Sequence, residues 1–235
     1  MPTMINKQRI LNAILTNLKK RYRLEAPESL PVLEQFIYAI CREGATRAQA
    51  DIAFKKLREQ YFDWNEIRVS STHELEETLA DLPKANERAY RLIRFLQEVF
   101  ETTFSFDLES LQKKGLKQAA KHLSRYQAAN DYIVAMVVQR ALNGHAIPLD
   151  APTIRVLKRL GLIEADEESV ETMRASIEHL VPKARGPLFS DLISALAEEL
   201  CHETEPECGK CPLSSECPSA QECSPPVAAG RRKPR

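Results

Sequence analysis

Glycine is scarce in this sequence, with 7 residues among 235. Globular proteins usually contain about 7% glycine, so this chain carries less than half the ordinary share. Neither of the glycine-rich phosphate loops, GxGxxG or GxxxxGKS/T, occurs in it. Enzymes that bind dinucleotides and P-loop nucleotide hydrolases are therefore disfavoured.

Net charge and long apolar runs are missing as well. The 33 Lys and Arg residues balance the 33 Asp and Glu residues, so the chain lacks the global basic excess that most readily indicates nucleic-acid binding. It has no run of about 18 uncharged apolar residues and no apolar segment at its N-terminus. We therefore expect a cytoplasmic protein, nucleoid-associated if bacterial, with no membrane partner.

Apolar residues recur at helical spacing along most of the chain, and no stretch alternates as a strand would. Thr46 with Gln49 predicts a capped helix start. Residues 132–142 are apolar nearly all round, which predicts a buried helix. Asp150 is placed to cap the next helix, which ends at Gly161. The predicted fold class is all-α, with a disordered basic tail at 224–235.

Five of the six cysteines lie between residues 201 and 223. In a chain without a secretory signal, such clustering indicates a metal site rather than disulfides. Thiolates favour zinc or an iron–sulfur cluster, and spacing alone leaves both open, with free surface thiols as a third interpretation. Cys223 is predicted not to be a ligand, and Cys41, on an apolar helix face, is predicted to lie in the core. The four remaining cysteines have the spacing C-x6-C-x2-C-x5-C: Cys201, Cys208, Cys211 and Cys217.

This spacing, at the end of an all-helical chain, resembles the iron–sulfur loop of endonuclease III in the helix-hairpin-helix DNA glycosylase superfamily. Residues 150–162 resemble the family segment VDTHxxRVxxRLGL, and residues 86–89 resemble its NxKA turn. Residues 208–217 resemble CxxCPLxxxC, and the likeness covers about residues 8–218. It implies a two-lobed all-α fold, a 4Fe-4S cluster on the four cysteines, and base-excision repair of double-stranded DNA by a monomer. The implied lobes are 24–144, a six-helix domain, and 1–23 with 145–223, which holds the cluster.

The resemblance assigns two catalytic positions. Asp150 falls where the family carries the carboxylate that stabilises positive charge on the sugar, although the residue also has the simpler role of a helix cap. Tyr132 falls where bifunctional members carry a lysine. Since a phenol cannot form a Schiff base, we expect no lyase activity by that route. Tyr132 either lines a base pocket or is an aromatic residue of the buried helix.

The segments that hold DNA in the family depart from its pattern here. The hairpin at residues 126–132 has no glycine, and Ala128 places a methyl group where a phosphate should approach. Pro83 replaces the glycine of the first hairpin, and residues 43–46 lack the glutamine that fills the gap left by a flipped base. The segment 201–223 contains five Glu and one Lys, so it repels phosphates.

Basic residues nevertheless flank both hairpin positions. No acidic residue offsets the cations of residues 110–126, and residues 84–94 place four cations along one helix face. The predicted DNA contacts are Lys84, Arg88, Lys117, Lys121, Arg125, Gln127 and Asn130. We therefore expect an endonuclease III-type glycosylase, with a non-catalytic DNA- or protein-binding descendant as the alternative and a zinc-stabilised helical interaction domain as a third.

Overall fold

The computed structural model describes residues 4–24 and 28–223, and this part of the chain contains helices and no strand. The all-α prediction is confirmed. None of these helices is long and apolar enough to cross a membrane. The predicted tail at 224–235 lies outside the described residues. The α-helices in chain order are α1 (Met4–Ala13), α2 (Lys19–Arg21), α3 (Val32–Arg42), α4 (Arg47–Gln60), α5 (Trp64–Val69), α6 (Thr72–Thr78), α7 (Ala85–Thr103), α8 (Leu116–Leu123), α9 (Asp131–Arg140), α10 (Ala151–Arg159), α11 (Val170–Leu180), α12 (Gly186–Glu199) and α13 (Pro218–Cys223).

Several helix ends follow directly from the sequence. Thr46 and Gln49 form the predicted capping box at the start of α4. Asp150 caps α10, and the Thr153 side chain accepts a hydrogen bond from the backbone N–H of Asp150. These two bonds form a second capping box at the start of this helix. Gly161 adopts φ +68° just after α10, a left-handed conformation that favours glycine. A π-helical turn, Ile14–Leu18, joins α1 to α2.

Two large hydrophobic clusters organise the described residues. The first contains side chains of α3 to α9, and the second joins α1 to side chains between residues 147 and 220. Cys41 is fully buried in the first cluster, as predicted, and burial raises the pKa of its thiol to about 12. The lobe boundaries expected from the sequence stay a prediction, which these two clusters support.

Aromatic packing in the first cluster positions the hairpin. Phe36 of α3 stacks on Phe95 of α7 with ring centroids 3.8 Å apart. Tyr126, in the turn between α8 and α9, meets Phe95 edge-on at 5.1 Å. Edge-to-face pairs of this kind add to the free energy gained by burial. The turn is therefore anchored on α3 and α7.

Candidate functional site

A cleft of about 790 Å³ lies between helices of the two hydrophobic clusters. Its walls come mainly from α3, α4, α9 and α12, so that both hydrophobic clusters contribute. Residues one or two turns apart on each helix face the cleft because helical periodicity returns them to the same side. The helical residues that line it include Gln35, Tyr38, Arg42, Asp51, Met136, Arg140, Asp191 and Glu198.

Asp150 lies in a smaller cavity of about 180 Å³ next to this cleft. Its carboxylate is buried, and both oxygens accept hydrogen bonds. Oδ1 accepts from the backbone N–H of Thr153 at 3.1 Å and from its hydroxyl at 2.7 Å. Oδ2 accepts from the N–H of Gly44 at 3.0 Å. The carboxylate thus caps α10 and also ties the second lobe to the turn between α3 and α4.

Tyr132 is the second residue of α9 and is buried in the first cluster. Burial raises the pKa of its phenol well above the usual range; Arg42 opposes this rise, and Asp150 adds to it. The phenol therefore stays protonated at neutral pH and lies within electrostatic reach of the Asp150 carboxylate. Tyr132 lines neither the cleft nor the smaller cavity, so this position agrees with a buried aromatic residue rather than with a pocket wall.

Arg42 and Glu198 separate the two cavities, and the sequence interpretation missed both. Arg42 Nη2 donates to Glu198 Oε1 at 2.5 Å, and Nη1 donates to the carbonyl of Ala45. The Arg42 side chain is 8% exposed and that of Glu198 is 24% exposed. Glu198 also accepts from the backbone N–H of Arg47 at 3.3 Å. This pair therefore joins α3 and the start of α4 to α12 across the cleft.

The turn between α3 and α4 is fastened to the hairpin by Glu43. Its carboxylate accepts from Asn130 Nδ2 at 2.7 Å and from Arg91 Nη1 at 2.9 Å. Gly44 follows with φ +64°, and a Cβ at this position would meet no atom within 4 Å. The space beside Gly44 is therefore open.

The predicted helix-hairpin-helix is present as α8, a turn and α9. Asn130 caps α9, because its Oδ1 accepts from the N–H of Ile133 at 3.0 Å. Gln127 is exposed, and its N–H donates to Glu98 Oε2 at 2.9 Å. The expectation for Ala128 is wrong: this residue is 2% exposed and belongs to the first cluster. Its methyl group is therefore not presented to solvent, and its carbonyl accepts from Arg91 at 2.9 Å.

The predicted DNA-contacting cations fall into two groups. Lys117, Lys121 and Arg125 are exposed, and none has a carboxylate within 4 Å among the described residues. Burial lowers the pKa of His122, and Lys114 and Arg125 lower it further, which shows that cations gather around α8. Lys84 is exposed at the start of α7 and pairs with Glu87 at 3.6 Å.

Arg88 requires a correction. It is 5% exposed, and its guanidinium donates to the carbonyls of Pro83 (2.7 Å), Ile40 and Glu43. Burial lowers the pKa of this guanidinium. A side chain held in this way cannot reach a phosphate, so Arg88 is a structural residue that fixes the turn between α3 and α4.

The four candidate cysteine ligands lie against the second hydrophobic cluster. Arg159 Nη1 donates to Cys201 Sγ at 3.4 Å, and the Cys217 thiol donates to the carbonyl of Arg159 at 3.4 Å. Burial raises the pKa of Cys211, and the other three cysteines add to this effect. Within the described residues, however, no three His, Cys, Asp or Glu side chains are arranged to hold a metal ion. Cys223 ends α13, but its side chain lies outside the described part of the chain.

No protein-family model matches the chain. It is 28% identical over 131 residues to an adenine DNA glycosylase of Arabidopsis thaliana, a match covering 54% of this chain and 20% of that protein. It is 24% identical over 171 residues to DEMETER-like protein 3 of the same plant, covering 66% and 16%. The chain thus spans about a fifth or less of the length of the curated relatives it matches.

Solved structures match almost the whole chain. A non-covalent endonuclease III–DNA complex superposes with a TM-score of 0.74 and 20% identity, covering 95% of this chain and 99% of that one. A thermostable thymine-DNA glycosylase gives a TM-score of 0.69 and 18% identity, covering 93% and 98%. These superpositions confirm the predicted fold, and the sequence matches show that the chain is similar to part of an adenine DNA glycosylase and of DEMETER-like protein 3.

Proposed function

We propose that this protein is a DNA N-glycosylase of the endonuclease III type that takes part in base-excision repair. One observation carries the proposal: the buried Asp150 carboxylate lines a cavity beside a cleft large enough for a nucleobase. One of the curated relatives named above is an adenine DNA glycosylase, and the superposed structures include an endonuclease III–DNA complex. A concave site with few converging polar groups is typical of ligand binding.

The chemistry follows from these side chains. Breaking an N-glycosidic bond builds positive charge on the sugar, and a fixed carboxylate stabilises that charge. Asp150 supplies it, and its bonds to Thr153 and Gly44 hold it in one orientation. Tyr132 stands where an amine would be required for a Schiff base. The product is therefore an abasic site in an intact strand.

We further propose that double-stranded DNA binds to a monomer along the hairpin surface, defined here by Lys117, Lys121 and Arg125 of α8 and the following turn. These cations have no acidic partner among the described residues, which leaves them available to phosphates. Three further predicted contacts flank this surface: Lys84 at the start of α7, Gln127 in the hairpin turn and Asn130 at the start of α9. We expect the protein to act in the cytoplasm, at the nucleoid in a bacterium.

We propose that Cys201, Cys208, Cys211 and Cys217 hold a 4Fe-4S cluster, which would supply a one-electron redox centre. The donor set consists of thiols alone, packed on apolar residues. Four cysteine thiolates would be a complete ligand set for such a cluster. Purified protein with about four irons and matching sulfide per chain supports the cluster, whereas one zinc contradicts it.

A second candidate function is a non-catalytic DNA- or protein-binding descendant. One observation favours it: both oxygens of Asp150 are already bonded within the protein. Under this alternative the carboxylate is only a clamp between the lobes.

An excision assay separates the two functions. Duplexes carrying different damaged or mispaired bases are incubated with the protein and then treated with alkali, which cleaves the strand at abasic sites. Alkali-dependent cleavage of at least one duplex supports the glycosylase. Borohydride should trap no covalent complex, and a trapped complex would refute the absence of Schiff-base chemistry. Binding without excision of any base would leave the non-catalytic descendant.

A further inference from the structure

Arg42 lines both the cleft and the smaller cavity that contains Asp150, as do Ser194 and Glu198. Its positive charge interacts electrostatically with Tyr132, Glu198 and Asp150. We infer that Arg42 stabilises the negative charge on the departing base, and that the site therefore favours bases that leave as anions over bases that must be protonated first. This inference rests on the proposed glycosylase function.

The geometry gives Arg42 free donors at the right place. A guanidinium has five N–H groups. Two of the guanidinium nitrogens donate, to Ala45 and Glu198, and no other bond from this guanidinium is formed to a described residue. With the sugar beside Asp150 and the base in the cleft, the glycosidic bond lies between the two cavities. Arg42 is the cation at that junction.

The charges at this junction suit a heterolytic cleavage. The C1′–N bond breaks, its electron pair leaves with the base nitrogen, and positive charge forms on the sugar opposite Asp150. Water then adds to C1′ and gives up a proton, and the departed base takes up a proton from water, so that hydrolysis balances. A guanidinium remains protonated at neutral pH, so Arg42 donates hydrogen bonds to the anion without transferring a proton.

Acids that could protonate a base are held in ion pairs along the cleft. The helical carboxylates that line it each meet a cation within 4 Å: Glu198 with Arg42, Asp191 with Arg140, Asp51 with Arg47, and Glu59 with Lys55. Adenine departs readily only after protonation of its ring. A base with a carbonyl beside the glycosidic nitrogen, such as a uracil-type pyrimidine, spreads the negative charge onto oxygen and suits a guanidinium donor.

The test compares single-turnover excision of 5-fluorouracil, uracil and thymine from one duplex context, a series in which the base anion becomes progressively less stable. Adenine opposite guanine is the fourth substrate. Wild-type protein should excise the pyrimidines in that order and adenine poorly. Arg42→Gln should lower the rates by about 100-fold overall, and the loss should grow from 5-fluorouracil to thymine. Arg42→Lys keeps the charge. It should therefore restore part of the rate and bring the dependence of the rate on the base closer to that of the wild type.

Arg174→Gln is the matched control, since Arg174 joins α11 to α9 through an ion pair with Asp131 at 3.3 Å and lines neither cavity. It should change the rates by one common factor for all bases, and thermal unfolding checks the folding of every variant. If Arg42→Gln does not fold, the inference is tested by how the excision rate of Arg42→Lys depends on the base. An equal loss for all pyrimidines, or preferential excision of adenine, overturns this inference alone. No excision of any base overturns the glycosylase proposal and this inference with it.

Discussion

The interior of the cleft and the hairpin surface carry charge in opposite ways. Arg42 in the cleft and Asp150 in the smaller cavity beside it are buried, and each is bonded to groups of the protein. On the hairpin surface, Lys117, Lys121 and Arg125 are exposed without acidic partners among the described residues. Buried charges act at short range and resist screening by salt, whereas exposed charges attract phosphates from a distance and are screened. We therefore expect the cleft to carry out the chemistry and the hairpin surface to provide the affinity for DNA.

The largest expected effect comes from Asp150→Asn. Asparagine caps helices about as well as aspartate, so α10 should remain intact while the negative charge beside the sugar is lost. We expect excision to fall by at least about 100-fold, measured as a single-turnover rate at saturating protein. Unfolding in urea serves as the control for stability. Wild-type excision by this variant would show that the carboxylate is only a clamp.

Arg88→Met tests whether a buried cation of the first lobe is structural. Its removal leaves the carbonyls of Ile40, Glu43 and Pro83 without their donor in a largely buried site, so the free energy of unfolding should fall by about 3 kcal/mol. Lys84→Met, four residues earlier and exposed, should change it by no more than about 0.5 kcal/mol. Urea denaturation measures both. An Arg88→Met variant that is as stable as the wild type but binds DNA more weakly would show that Arg88 contacts DNA.

Replacing Lys117, Lys121 and Arg125 together by alanine should weaken DNA binding without changing the excision rate at saturation. Three lost phosphate contacts should reduce the slope of log Kd against log salt concentration by about 3. The control replaces three exposed cations of the second lobe, Lys19, Lys20 and Arg23, and should leave the slope nearly unchanged. Equal slopes for the two triple variants would place the DNA elsewhere.

Tyr132→Phe should have the smallest effect. Since no Schiff base is expected at this position, we expect less than about a tenfold change in excision. Burial raises the phenol's pKa above its value of about 10 in an unfolded chain. The unfolded state therefore loses its proton first, and wild-type stability should decline as the pH rises above about 10. Urea unfolding at neutral and alkaline pH should show a weaker decline for the variant, and an identical decline would contradict the burial of the phenol.

Local patterns were sufficient for much of the fold. The capping pairs at Thr46 and Asp150 and the stop at Gly161 each depend on neighbouring residues, and all three are present in the structure. Asp63 followed by Glu66 was a similar signal for α5, which the sequence interpretation did not use. The buried position of Cys41 followed from the apolar face of α3.

Contacts between distant segments could not be found in this way. Arg42 and Glu198 are 156 residues apart in the sequence, and only the packing of α3 on α12 brings them together. The regular spacing of cations on α7 predicted an exposed basic face. Arg88, however, precedes the buried Leu92 by one turn and therefore lies on the core side. The apolar residues of α7 that recur with Leu92 mark its buried face. They indicate the position of Arg88 better than the spacing of the cations does.

The most direct test measures Asp150→Asn and the hairpin-surface triple variant side by side on one duplex, over a series of salt concentrations. The account predicts that Asp150→Asn loses excision while keeping the wild-type Kd and salt slope. It predicts that the triple variant loses affinity and salt slope while keeping the wild-type rate at saturation. Retained excision by Asp150→Asn, or a loss of both properties in each variant, would contradict the division between cleft and surface.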